Sequence, residues 1–242
     1  MISYYLLTSQ GDRNNNEDNV GMYQSYDEYC FVLADGLGGH GKGEVASDLA
    51  VEQSVMTFAL KGTASEECIC QSFQNAQNKI HELQNKNPIY KDMKTTLVIL
   101  HVGKEEIRWG HVGDSRLYYF ERGKLVGRTL DHSVPQMLVE AGEIKEKKIR
   151  HHPDRNRLLR VMGIEGEEPR YQLGQPVDRK PGQAFLLCTD GFWELIDEKK
   201  MASCLKKARN PQNWLELMEQ IVKKHGQGLN MDNYSAVGVW ID

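Results

Sequence analysis

Acidic residues recur in this sequence where apolar runs stop, and carboxylates gathered at strand ends can do chemistry. FVLA (31–34) ends in Asp35-Gly36, and AFLLCT ends in Asp190-Gly191. EIRWGHVG ends in Asp114, Asp232-Asn233 immediately precedes YSAVGVWI (234–241), and Asn16-Glu17-Asp18 follows the first apolar run. Taken singly, each Asp-Gly is an ordinary turn dipeptide. As a set they mean more, because strands of packed sheets run together and their ends can bring several carboxylates to one place. Clustered carboxylates repel and shift each other's pKa unless a cation neutralises them. Hard oxygen ligands without His or Cys select Mg²⁺ or Mn²⁺ rather than zinc. Two such ions can polarise water for attack on a phosphoryl centre. Arg13, just ahead of Glu17 and Asp18, is a guanidinium that could hold a phosphate bidentately. Standing alone, it would read as a surface ion pair.

These acids need strands and helices to position them. Ile69, Phe73, Ala76, Ile80 and Leu83 repeat at helical spacing and form an apolar seam. An earlier helix is expected from about Gly43 to Leu60, with Val45, Leu49, Met56 and Ala59 inward. Trp214, Met218, Ile221 and Val222 mark a third near the C-terminus. Between them lie the β-rich runs TTLVILHV (95–102), EIRWGHV (106–112), RLYYF (116–120) and AFLLC (184–188). Hairpin turns are expected at Gly103-Lys104-Glu105 and at Arg122-Gly123-Lys124. Strands and helices segregate rather than alternate, which predicts an α+β fold with antiparallel sheets covered by helices. The His- and Arg-rich stretch from about 135 to 168 reads as a small appended helical subdomain of one domain spanning 1–242.

Composition bounds the function classes. The chain has 242 residues, 40% hydrophobic and 26% charged, with 30 Lys+Arg against 34 Asp+Glu for a net charge of −4. That balance excludes a disordered or collagen-like chain and argues against broad nucleic-acid binding, which needs a basic face. Five cysteines with no C-x-x-C pattern suit structural thiols in a reducing compartment. MISYYLLTSQGDR lacks a basic region ahead of its apolar run, so it is not a signal peptide. No apolar stretch is long enough to span a bilayer, and the expected location is the cytoplasm.

GDRNNNEDN, ADGLGGHGKGEVAS, GHVGDSRLYYF, TLDHS, LLCTDGFWELI and DNYSAVGVW resemble, in order, the successive blocks of the metal-dependent PP2C (PPM) protein phosphatases, bacterial members in particular. The resemblance implies two central antiparallel sheets flanked by helices, with a flap over about 135–168. It implies that Asp35 bridges two central Mn²⁺ or Mg²⁺ ions, that the Gly36 carbonyl ligates one, and that Asp190 and Asp232 complete the other's shell. Asp18 would hold metal-bound water, Arg13 would grip the substrate phosphate with Glu17 orienting it, and Asp114 with Asp190 would form a third, weaker metal site. The implied reaction is direct attack of metal-activated water on phosphoserine or phosphothreonine, without a phospho-enzyme. The implied partners are phosphoproteins, among them a cognate bacterial Ser/Thr kinase and its substrates, with the enzyme a monomer and neither nucleic acid nor membrane involved.

Several other readings compete with this one. The run Asp35-Gly36-Leu37-Gly38-Gly39-His40-Gly41 looks like a phosphate-cradling loop but lacks the Lys-Ser/Thr of a P-loop. Where eukaryotic PP2C relatives have a histidine after the Asp-Gly, Leu37 stands here; His40 is nearby, with loop ordering its expected role. A haloacid-dehalogenase phosphatase would need a D-x-D pair, and Asp35 has no such partner. Asp131-His132-Ser133 holds triad letters, but adjacent residues cannot face one another as a triad requires. The remaining alternative is an inactive phosphoprotein-binding pseudophosphatase, whose signature would be a lost metal carboxylate; Asp35, Asp190 and Asp232 are all present.

Overall fold

The computed structural model describes residues 1–37 and 42–242. In chain order, β1 (Ile2–Ser9), β2 (Asp18–Ser25) and β3 (Glu28–Leu37) precede two long helices, α1 (Gly43–Lys61) and α2 (Glu66–Lys86). Then come β4 (Lys94–Thr95), β5 (Leu97–Val102), β6 (Glu106–Val112), β7 (Arg116–Glu121) and β8 (Lys124–Arg128). A polar stretch holds α3 (Val134–Glu140) and a 3₁₀ turn, Glu146–His151. It is followed by β9 (Gln172–Leu173), β10 (Val177–Asp178) and β11 (Gln183–Cys188). The short α4 (Asp190–Trp193), then α5 (Glu198–Lys207) and α6 (Pro211–Gly226), lead to β12 (Tyr234–Ile241).

Two antiparallel sheets result, one ordered β1-β12-β11-β7-β8 and the other β10-β6-β5-β3-β2, with β4 and β9 pairing at the margins of the second. Both faces of each central strand are buried, which is why these strands read as unbroken apolar runs rather than alternating ones. In β3, Phe31 and Leu33 face the other sheet and join Leu117, Phe185, Leu187 and Val237. Cys30, Val32 and Ala34 point the other way, against Ala46, Ala50 and Phe58 of α1 and Ile69, Phe73, Ala76 and Ile80 of α2. On the outer face of the first sheet, Leu186 and Tyr118 pack against Trp214, Met218 and Val222 of α6. The expected layering, helices on sheet on sheet on helices, is the observed one. All five cysteines are free.

Sequence periodicity placed the seams of α2 and α6 correctly and that of α1 one position out. Met56 is 47% exposed, while Ala46, Ala50, Val51, Ser54 and Phe58 are buried. The residues α1 buries are mostly small, because α1 lies close against β2 and β3: a Cβ on Gly21 would sit 2.5 Å from Val51. The 135–168 stretch is helical only in α3 and the 3₁₀ turn. The rest is turns, punctuated by Gly142, Gly163 and Gly166 at positive φ, and it is tied to the body by the bridges Ser133–Leu158 and Thr95–Met162.

Candidate active site

The antiparallel topology brings the acids to one end of the sandwich. Asp35 sits near the end of β3, and Asp18, opposite it in register, starts β2. Asp114 lies between β6 and β7, Asp190 opens α4 just beyond β11, and Asp232 immediately precedes β12. Arg13, Glu17, Asp35, Gly36, Asp114, Asp190 and Asp232 line one cleft of about 510 Å³, together with Asn156 and Leu158 from the flap stretch. Asp18 lies behind this wall. Its Oδ2 accepts a hydrogen bond from Thr189 at 2.9 Å, and its buried Oδ1 has no partner among the described residues. Gly38 to Gly41, and with them His40, fall outside the described residues.

The backbone around these acids is pinned. Asp35 N–H donates to Thr96 Oγ1 at 2.9 Å, and the Asp35 carbonyl accepts from Thr96 N–H at 2.9 Å. Thr96 in turn shares a 2.7 Å hydroxyl contact with Ser115, next to Asp114. Gly36 has no room for a side chain, since a Cβ there would lie 2.2 Å from the Gly43 carbonyl that opens α1. A Gly36→Ala chain is expected to lose much of its thermal stability, read as a lowered Tm, because the clash is with backbone that cannot step aside.

The sequence reading overlooked several residues that hold the site together. Asn233 accepts from Glu17 N–H at 2.8 Å and donates to the carbonyls of Gln10 and Asn15, each at 2.8 Å, so one amide fixes the loop carrying Arg13 and Glu17. Trp193 donates its indole N–H to the Asp114 carbonyl at 3.0 Å. Arg150 and Arg155 of the Arg-rich stretch are partnered: Arg150 donates to the Trp193 and Ile196 carbonyls, and Arg155 pairs with Glu194 at 2.9 Å. Nothing local in the sequence signals these links, which join residues far apart in the chain.

The profile of protein phosphatase 2C matches residues 9–225. This chain belongs to the protein phosphatase 2C family. It is 32% identical over 206 residues to the serine/threonine phosphatase stp of Listeria welshimeri, an alignment covering 82% of this chain and 80% of that one. Its fold matches the crystal structure of a bacterial serine phosphatase with a TM-score of 0.89 at 24% identity, covering 100% of this chain and 98% of the other. It also matches, with a TM-score of 0.81 at 23% identity over 100% of this chain and 99% of the other, the catalytic domain of PstP in complex with two manganese ions.

The electrostatics of this protein phosphatase 2C cleft are those of a site made for cations. Burial pushes the Asp18 and Asp190 carboxyls up to about 7, and neighbouring carboxylates push in the same direction. Asp35 and Asp114 are raised well above the usual range, by burial first and then by the surrounding acids, Asp190 among them for both. Against these acids stands Arg13, whose Nη2 lies 2.8 Å from Asp232 Oδ2 with both side chains nearly half exposed. Among the described residues no three of these side chains converge as a ready-made cage. Spaced carboxylates still fit a hydrated divalent ion, because Mg²⁺ keeps several of its waters and takes only one or two carboxylates directly. The all-oxygen donor set, the unpartnered Asp18 oxygen and the width of the cleft agree with such ions.

Proposed function

We propose that this cleft hydrolyses phosphoserine and phosphothreonine in proteins, within a single domain that includes the 135–168 flap. The observation that carries this is one cleft walled by Asp35, Asp114, Asp190 and Asp232 with Arg13 at its side, in a chain of this family. Asp35, the Gly36 carbonyl, Asp190 and Asp232 would hold two Mn²⁺ or Mg²⁺ ions, and Asp114 with Asp190 a third. Such ions, when bound, supply Lewis-acid charge that lowers the pKa of water to produce a nucleophile near neutral pH and offsets charge on the phosphoryl oxygens.

The chain's own residues do the rest. Arg13 is paired with Asp232 in the structure; were Asp232 drawn to a metal ion, the Arg13 guanidinium would be free to take two phosphoryl oxygens in a fork. Glu17, whose own carboxyl is raised by burial and by the nearby acids Glu44 and Asp232, feels the Arg13 charge and orients it. Asp18, aimed by the Thr189 hydroxyl, keeps one oxygen unsatisfied and so is an acceptor for a water proton. Nothing in the site favours an inactive phosphoprotein-binding reading, since none of the acids that would hold metal is missing.

Arg13→Ala is expected to raise KM for a phosphopeptide at least tenfold with a smaller change in kcat; an unaltered KM would remove Arg13 from the phosphate site. The whole reading is tested by phosphate release from a phosphothreonine peptide with Mn²⁺, with Mg²⁺ and with excess EDTA. Metal-dependent release that EDTA abolishes is expected, and no release from folded protein in either metal would overturn it. Natural substrates would include a Ser/Thr kinase and its targets in the cytoplasm, met by a monomer. No helix among the described residues is long and apolar enough to cross a membrane.

A further inference from the structure

At the opposite end of β11 from the cleft lies a second concave surface, made where the β7–β8 turn meets α5. The six residues of β11 separate the two by about 20 Å at the usual rise of a strand. Two adjoining hollows of about 330 and 390 Å³ share Gly123 and Lys206 as a common wall. Gly123 is open enough for the Lys206 stem to lie across it: a Cβ there would sit 2.9 Å from Lys206 Cγ. Lys199, Ala202, Ser203 and Lys206 follow helical spacing i, i+3, i+4, i+7, so one face of α5 forms the floor of the second hollow.

Cations outnumber acids in this groove four to one. Arg122, Lys124, Lys199 and Lys206 line it, and among the described residues none has a carboxylate within ion-pair distance. By contrast, Lys180 pairs with Asp178 and Lys223 with Glu219. The acid in the lining is Asp242, whose side chain accepts from Ser3. Between the cations the walls are apolar, with Leu205 and Trp240 in the first hollow and Leu125, 37% exposed, in the second. Four like charges kept together in a chain of net charge −4 repel one another, and an anionic partner would relieve that repulsion.

We propose that this groove docks an acidic, extended segment of a partner protein, at a site separate from the one where phosphate is removed. Lys199 and Lys206 are seven residues apart on one helix, about 10.5 Å along its axis. A polyproline-II segment presents residues i and i+3 on one side about 9.3 Å apart, so acids at every third position match the two lysines, while an apolar residue between them meets Leu125 and one beyond Lys206 meets Leu205 and Trp240. A concave groove suits neither a flat membrane nor a nucleic-acid duplex.

The test is fluorescence anisotropy with a short fluorescein-labelled peptide repeating Glu-Pro-Leu, its Lys-Pro-Leu counterpart, and anionic phosphatidylserine vesicles. The acidic peptide is expected to bind the wild-type protein at least tenfold more tightly than the basic one, and to weaken as salt rises. The exposed double variant Lys199→Glu/Lys206→Glu is expected to lose that binding at least tenfold while hydrolysing a small phosphate ester at the wild-type rate. Failure of the acidic peptide to bind, equal binding by the double variant, or variant-sensitive binding of vesicles in place of the peptide would overturn the proposal. Small-ester hydrolysis in the same samples reports on the phosphatase reading separately.

Discussion

Asp190→Asn is expected to abolish metal-dependent turnover, by on the order of a thousandfold or more, and at the same time to stabilise the metal-free protein at neutral pH. Both effects come from the same carboxyl. Asp190 is buried, its pKa stands near 7, and its side chain shares a hydrogen bond with Asp35, so in the absence of metal a proton is held between acids that repel. Asparagine keeps the shape and removes the charge. The pH dependence follows from the direction of the shift. Asp18 and Asp190 have folded-state values near 7 against 3.8 for the ordinary aspartate, so over that interval the folded chain binds protons that the unfolded chain does not. Stability without metal therefore falls as pH rises from about 4 to about 7, and Asp35 and Asp114, raised in the same direction, add to the fall. Divalent ions must expel those protons, so their affinity is expected to rise across the same window. Thermal melts in EDTA at about pH 5.5 and about pH 7.5, with Mn²⁺ titrations by calorimetry at both, check the argument. A metal-free wild-type protein more stable at the higher pH, or an Asn variant that still turns over, would refute it.

The acids at strand ends were legible because the signal is local: an apolar run and the carboxylate that stops it are neighbours in sequence. The layering was legible for a similar reason, since strands buried on both faces read as continuous apolar runs and α2 carries its seam at regular spacing. What the sequence hides is how distant side chains hold the acids in place. Asn233 reaches back across the fold to the carbonyls of Gln10 and Asn15, and no local pattern distinguishes it from any other asparagine ahead of a strand. The place of Asp18 behind the cleft wall depends on Thr189, which lies just beyond β11 of the other sheet. The inward face of α1 escaped periodicity because close approach to β2 and β3 selects small residues there, so hydrophobicity does not mark the buried side.

Loss of Arg116 is expected to be the most destabilising single change outside the cleft. The Arg116 side chain is buried and its guanidinium donates to both oxygens of the buried Asp131 at 2.7 and 2.6 Å, and lies 3.3 Å from the centroid of the Trp193 ring. Burying both charges is costly, and the pair is tolerated because each satisfies the other; removing Arg116 leaves buried Asp131 with only the longer 3.5 Å contact to Arg128, at up to about 3–5 kcal/mol. In a chain of this length that corresponds to a fall in Tm of about 10 °C or more. Arg116→Met is expected to melt lower by that amount, and the double variant Arg116→Met/Asp131→Leu to recover much of it, because the stranded carboxylate is then gone. The damage should also reach the cleft. The Trp193 ring that Arg116 covers donates to the Asp114 carbonyl and closes the turn begun by Asp190, so a displaced indole moves two of the cleft acids together. Trp193→Phe separates the two contributions: it keeps a ring under Arg116 but leaves the Asp114 carbonyl without its donor. It is expected to cost only about 1–2 kcal/mol of stability while weakening Mn²⁺ binding in calorimetry severalfold. Wild-type Mn²⁺ affinity in the phenylalanine variant would show that Trp193 supports the fold and leaves the carboxylates undisturbed.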